Sequence, residues 1–176
     1  MRDKKIWIFN AGNAFDGNPK WLFMYIVNYR KDITPYWFCY TEETRNYIRK
    51  LGYQAFLFKS KMAEKIGSQA GVYVVNQKKE VFQDYLKGIT VLNLWHGVGC
   101  KTVEKGVTYG FLNERIIKKH IINMDCYQNY QLFLVTSPLM EKHFIKQCDL
   151  AEDKIIRAGY PCCFYPGKLR HMIMIS

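Results

Sequence analysis

One feature limits the fold more than any other: short apolar runs of strand length alternate with longer amphipathic segments. Ile6–Asn10 reads as a buried strand. Pro35–Tyr40, Ala55–Phe58, Val72–Asn76, Thr90–Trp95, Leu132–Thr136 and Ile155–Ala158 repeat the pattern. Helices are expected over Trp21–Tyr29, Glu42–Leu51, Ser60–Ile66 and Glu80–Leu86, in the middle of residues 101–129, and from Pro138 to about Asp149. Asn18 before Pro19, Thr41 and Ser137 stand where helix caps belong, and Gly52 and Gly88 where helices stop. Strand–helix alternation of this kind implies an α/β, Rossmann-like parallel sheet with helices on both faces. Residues 1–161 form the expected lobe. From Cys162 the period is lost, so residues 162–176 are expected to be an irregular tail and a truncation point.

The chain has 176 residues, which suits one domain with a core of its own. Hydrophobic residues make up 49% of it, which excludes a disordered chain. The net charge of +11 favours anionic partners: a phosphorylated substrate, nucleic acid or an acidic membrane surface. A merely basic, solvated surface fits the same number. The six cysteines and four histidines show no metal-ligand spacing, so no metal and no cofactor are expected. The cysteines read as reduced, cytosolic thiols, because no signal peptide opens the chain. No apolar stretch approaches the ~20 residues of a membrane span, so any membrane contact is expected to be peripheral.

Leu92-Asn93-Leu94-Trp95-His96-Gly97-Val98-Gly99-Cys100-Lys101 is the segment richest in chemistry. A buried strand delivers His96 to its carboxyl end, where open α/β sheets bind their ligands. A histidine there can serve as a general base near neutral pH. Gly97 lets the chain turn, and Lys101 adds positive charge for a phosphate. A structural histidine at a strand end remains the plain alternative. The segment is not a phosphate-binding P-loop, because Cys100 occupies the glycine position before Lys101. Gly12 and Gly17 likewise fail to make the dinucleotide fingerprint.

Asp16, Asn18 and Lys20 cluster where the first strand meets a helix amino terminus, a place that favours an anion or simple capping. Thr136 and Ser137 stand before Pro138 in a similar position. His120 and His143 lie in lysine-rich helical segments and read as solvated. No serine triad or carboxylate pair is suggested. Basic residues are scattered and no RNA-recognition consensus appears, so nucleic acid is not the expected partner.

These residues resemble the amino-terminal lobe of the CDP-glycerol glycerophosphotransferases, transferases of teichoic-acid and capsule polymers. Four motifs carry the resemblance over about residues 5–161. They are Asp16-Gly17-Asn18-Pro19-Lys20-Trp21-Leu22-Phe23, Leu94-Trp95-His96-Gly97 with Lys101, Phe133-Leu134-Val135-Thr136-Ser137, and Ile155-Ile156-Arg157-Ala158-Gly159-Tyr160-Pro161. The resemblance implies a lobe of a GT-B-like enzyme with two lobes facing a cleft. It implies transfer of glycerol phosphate from CDP-glycerol to a hydroxyl of a lipid-linked polyol-phosphate or glycan acceptor.

Under the same resemblance His96 is the catalytic base. Asp16, Asn18, Lys20, Gly97, Lys101, Thr136, Ser137, Gly159 and Tyr160 are substrate-binding candidates. The implied location is the cytoplasm, peripheral on the inner face of the cell membrane. The second lobe, with most donor contacts, is expected to be missing, so this chain is expected to be inactive alone. Cys162 stands where the family pattern has arginine, and Val98-Gly99 where it has Thr-Pro. A ribitol-phosphate or nucleotide-sugar transferase lobe is the alternative within enzymes. A non-catalytic basic nucleotide- or nucleic-acid-binding module is the alternative outside them.

Overall fold

The structure is a computed structural model. It describes residues 1–77, 83–97, 106–122, 132–148 and 150–164, with residues 119–122 and 164 by backbone alone. Seven strands form one sheet: β1 Asp3–Phe9, β2 Thr34–Cys39, β3 Ala55–Leu57, β4 Ala70–Val75, β5 Thr90–Asn93, β6 Leu132–Val135 and β7 Ile155–Arg157. Every pairing is parallel, in the order β3-β2-β1-β4-β5-β6-β7. The chain winds outward from β1 through β3, then returns to the centre and winds the other way from β4. The reversal falls between β1 and β4, and in such sheets ligands bind at the carboxyl edge by the reversal.

Among the described residues six α-helices flank the sheet: α1 Gly17–Tyr29, α2 Glu42–Lys50, α3 Lys61–Gln69, α4 Gly110–Ile122, α5 Pro138–Cys148 and α6 Pro161–Phe164. Neighbouring strand residues point to opposite faces, and both faces are buried. On one face Phe9, Trp37, Val74, Leu92 and Leu134 meet Phe23 and Ile26 of α1 and Ile48 of α2. On the other, Ile8, Phe38, Tyr73, Val91 and Phe133 meet Ala63 and Ile66 of α3 and Met140 and Phe144 of α5. Burial on both sides is why the strands read as continuous apolar runs. The first core is largely aromatic: the Phe23 ring stands edge-on to Phe9 at 5.4 Å and to Trp37 at 5.7 Å.

Several local expectations are met. The Thr41 hydroxyl accepts from Thr44 N at 3.2 Å and caps α2. Ser60, the expected start of the next helix, accepts from Ala63 N at 3.2 Å and caps α3. Others differ. β5 ends at Asn93 rather than Trp95, for a reason that belongs to the site. The cap of α1 is Asp16 and not Asn18, and the Asp16 side chain makes no capping bond. The helix expected over Glu80–Leu86 lies partly outside the described residues. Its described end is a three-residue 3-10 turn, Asp84–Leu86, held by the Tyr85 hydroxyl donating to the Phe58 carbonyl at 2.7 Å. The segment expected to turn irregular at Cys162 opens with the helical turn α6, because Cys162 packs partly into the α1 face of the core. The rest of that segment lies outside the described residues.

Candidate active site at the carboxyl edge

The site is built by the way β5 stops. Leu94 N still donates to Val75 O at 2.8 Å, as the next rung of the ladder would. The Asn93 side-chain oxygen then accepts from Trp95 N at 2.8 Å, which bends the backbone two residues on. Trp95 takes φ +53, the left-handed region that a bulky residue rarely adopts. Such a conformation costs on the order of 1–3 kcal/mol and persists only where surrounding contacts hold it. Here the indole lies 4.9 Å from the Phe144 ring at 71° and 5.7 Å from Phe133. The turn leaves His96 exposed at the carboxyl edge, stacked on the Trp95 indole at 4.2 Å.

The His96 imidazole is oriented by β4. Its Nδ1 lies 2.9 Å from the carbonyl oxygen of Asn76, the residue after that strand. A carbonyl oxygen only accepts, so Nδ1 carries the proton of the neutral ring. Nε2 then keeps its lone pair and can take a proton from a ligand.

Three strand ends converge on the next residue. The Tyr160 hydroxyl, beyond β7, donates to Gly97 O at 2.7 Å. Burial raises the Tyr160 pKa, and a hydrogen bond with Thr136, beyond β6, acts the other way. Thr136, Ser137 and Gly159 share a cavity of about 400 Å³ with Pro138, Glu141 and Arg157. The Ser137 hydroxyl accepts from Met140 N at 3.3 Å, so it caps α5 as its position suggests. Arg157 donates two hydrogen bonds to Glu141, at 2.8 and 2.6 Å, beside the same cavity.

The structure therefore brings Gly97, Thr136 and Tyr160 into one hydrogen-bonded array beside His96, and Thr136, Ser137 and Gly159 into one cavity. Asn18 is 3% exposed and bonds to the backbone beneath Trp95. Asp16 is exposed at the start of α1, and the Lys20 ammonium lies 5.5 Å from the Phe15 ring and 5.1 Å from the Trp21 ring. Lys101 lies outside the described residues.

Sequence reasoning missed three asparagines. Asn10, Asn76 and Asn93 are buried at the ends of β1, β4 and β5. Asn10 donates to Phe38 O at 2.8 Å and accepts from Gly12 N at 2.9 Å. The Asn76 Oδ1 and Asn93 Nδ2 atoms are buried without a hydrogen-bond partner, an arrangement rare in folded proteins. A signal was present: two of these apolar runs end in asparagine, and the third carries one two residues before its end. Among the described residues no group of three His, Cys, Asp or Glu side chains could hold a metal ion.

A doubly wound parallel sheet with a histidine at its carboxyl edge defines a Rossmann-like lobe. The sequence model of the CDP-Glycerol:Poly(glycerophosphate) glycerophosphotransferase family matches residues 1–163, and the chain belongs to that family. No curated protein matches it. Among solved structures, the wall teichoic acid polymerase TagF aligns with a TM-score of 0.71 at 18% identity, covering 91% of this chain and 39% of that one. A histidine-to-asparagine variant of TagF aligns with a TM-score of 0.75 at 14% identity, covering 98% and 43%. A glycosyltransferase from Rickettsia africae aligns with a TM-score of 0.54 at 15% identity, covering 99% and 49%. The chain thus spans about two fifths of the TagF chain it matches.

Proposed function

We propose that this chain is the acceptor-side lobe of a CDP-glycerol-dependent glycerophosphotransferase and that His96 is its general base. The observation that carries the reading is His96 itself: exposed at a strand end, with Nδ1 held by Asn76 O and Nε2 left as the acceptor. Family membership supports the reaction class. TagF has been studied in crystals soaked with CDPG, which supports the donor.

In the proposed reaction an acceptor hydroxyl approaches His96 Nε2. Its oxygen attacks the β-phosphorus of CDP-glycerol in line, the bond from that phosphorus to the bridging oxygen breaks, and CMP leaves. The hydroxyl proton passes to Nε2. Positioned proton removal of this kind contributes about 10²–10⁴-fold. Thr136, Ser137, Gly159 and Tyr160 line the acceptor side, and Asp16, Lys20, Gly97 and Lys101 complete the proposed binding set. A ribitol-phosphate or sugar donor would use the same base.

The acceptor is proposed to be lipid-linked, which places the lobe at an anionic membrane surface. No helix among the described residues is long and apolar enough to cross a membrane. Supporting a surface contact, α4 and the residue before it expose Tyr109, Phe111, Leu112 and Ile117 beside Arg115 and Lys118. Apolar and cationic side chains together suit a charged lipid interface.

To test the base, this lobe is joined to the donor lobe of a related transferase and CMP release is followed. His96→Ala is expected to lower turnover about 10²–10⁴-fold. Turnover near that of the unmodified fusion would exclude His96 as the base.

A further inference from the structure

We infer that Asn18 is a positioning residue, which sets the tautomer of His96 without touching substrate. The inference rests on the reading of His96 as the base and deepens it.

Asn18 lies in the first turn of α1, yet its side chain serves segments far along the chain. Its Nδ2 donates to Trp95 O at 2.9 Å and to Leu94 O at 3.3 Å. Its Oδ1 accepts from Cys162 N at 3.4 Å, at the start of α6. Two donor hydrogens and one acceptor oxygen are thus engaged, and the residue is 3% exposed. A side chain so placed has no room and no free donor for a ligand.

What Asn18 grips is the peptide that joins Trp95 to His96. Trp95 is held at φ +53. Relaxation to an ordinary negative φ would rotate that peptide and carry the imidazole away from Asn76 O. The bond to Trp95 O opposes this rotation, because the carbonyl direction and the peptide plane are one. The same turn of α1 meets the histidine's other anchor. Gly17 has φ +63, and a Cβ there would lie 2.9 Å from Asn76 Nδ2. Asn18 therefore fixes the peptide before His96 while its neighbour Gly17 abuts the residue that accepts from Nδ1.

The chemistry selects asparagine. An aspartate of the same shape would keep the acceptor for Cys162 N but turn an oxygen toward two carbonyl oxygens. A leucine would leave the buried carbonyls of Leu94 and Trp95 unpaired.

The test uses the chain itself, labelled with ¹⁵N, and long-range proton–nitrogen correlation of the His96 ring. The wild-type ring is expected to show a protonated Nδ1 and a bare Nε2. In Asn18→Asp the Nδ1-protonated form is expected to fall from the main species to a minor one. Ile26→Val, a core change in the same helix, is the control: it is expected to lower the melting temperature and leave the His96 spectrum alone. Should Asn18→Asp fail to fold, Asn18→Ser keeps one hydroxyl donor and is expected to show a smaller shift of the same kind. An unchanged His96 tautomer in a folded Asn18 variant would overturn the inference. If the tautomer responds but the His96→Ala fusion stays active, the base assignment fails and the positioning by Asn18 stands.

Discussion

His96 Nδ1 donates to the backbone carbonyl of Asn76 at 2.9 Å, so the end of β4 orients a histidine carried by β5. The two strands pair directly, with Val75 opposite Asn93, and this register brings the residues after them together.

The left-handed Trp95 gives a test whose sign is unusual. Trp95→Ala and Trp95→Gly both lose the packing against Phe133 and Phe144. Only alanine still bears the left-handed cost at φ +53, about 1 kcal/mol. Trp95→Gly is therefore expected to be the more stable of the two by that amount in urea unfolding. The opposite order would show that the turn relaxes once the indole is gone.

Two glycines separate crowding from backbone strain. Gly52→Ala, at φ +85 with nothing within 4 Å of the new methyl, is expected to cost about 1 kcal/mol. Gly17→Ala bears the same kind of cost at φ +63 and must also displace Asn76. It is expected to cost more and to perturb His96 resonances, whereas Gly52→Ala leaves them in place. Equal unfolding midpoints for the two variants would contradict this.

The Glu141–Arg157 pair predicts a pH effect beside the cavity. The two hydrogen bonds from Arg157 hold the Glu141 carboxyl below its usual value of 4.5. A depressed folded-state pKa stabilises above the unfolded value, and that contribution is lost as pH falls through the folded one. Arg157→Gln is expected to return the Glu141 midpoint to the ordinary carboxylate range in a carboxyl NMR titration. The effect on unfolding is expected to be small and weakened by salt, because the Arg157 side of the pair is largely solvated. A midpoint that does not move would show that the pair does not form in solution.

Helix α4 predicts salt-sensitive membrane binding. Phe111 and Leu112 are 71% and 59% exposed, with Arg115 on the same helix. The chain is expected to pellet with vesicles rich in anionic lipid at low salt, and the double change Phe111→Asp with Leu112→Asp to abolish pelleting. Retained pelleting would move the contact to another surface.

The strands were legible because a parallel sheet covered on both faces requires consecutive apolar residues. Tyr73, Val74 and Val75 in β4 are all fully buried, and the run stands out in the sequence. Thr41 and Ser137 were legible as caps because capping is local, with donor and acceptor three residues apart. His96 was legible as a strand-end histidine for the same reason. Asn18 was misread as a cap because an asparagine before proline is ordinarily one, and its actual partners lie 76, 77 and 144 residues away.

The sequence by itself determined the class of fold and the placing of a histidine, the candidate base, at the carboxyl edge of the sheet. These depend on periodicity and on neighbours a few residues apart. Only the tertiary structure decided how the histidine is held: the left-handed Trp95, the Asn76 carbonyl at Nδ1, the Asn18 amide beneath the turn and the Tyr160 hydroxyl on Gly97. The strand order sets those contacts by bringing together residues that the chain keeps far apart.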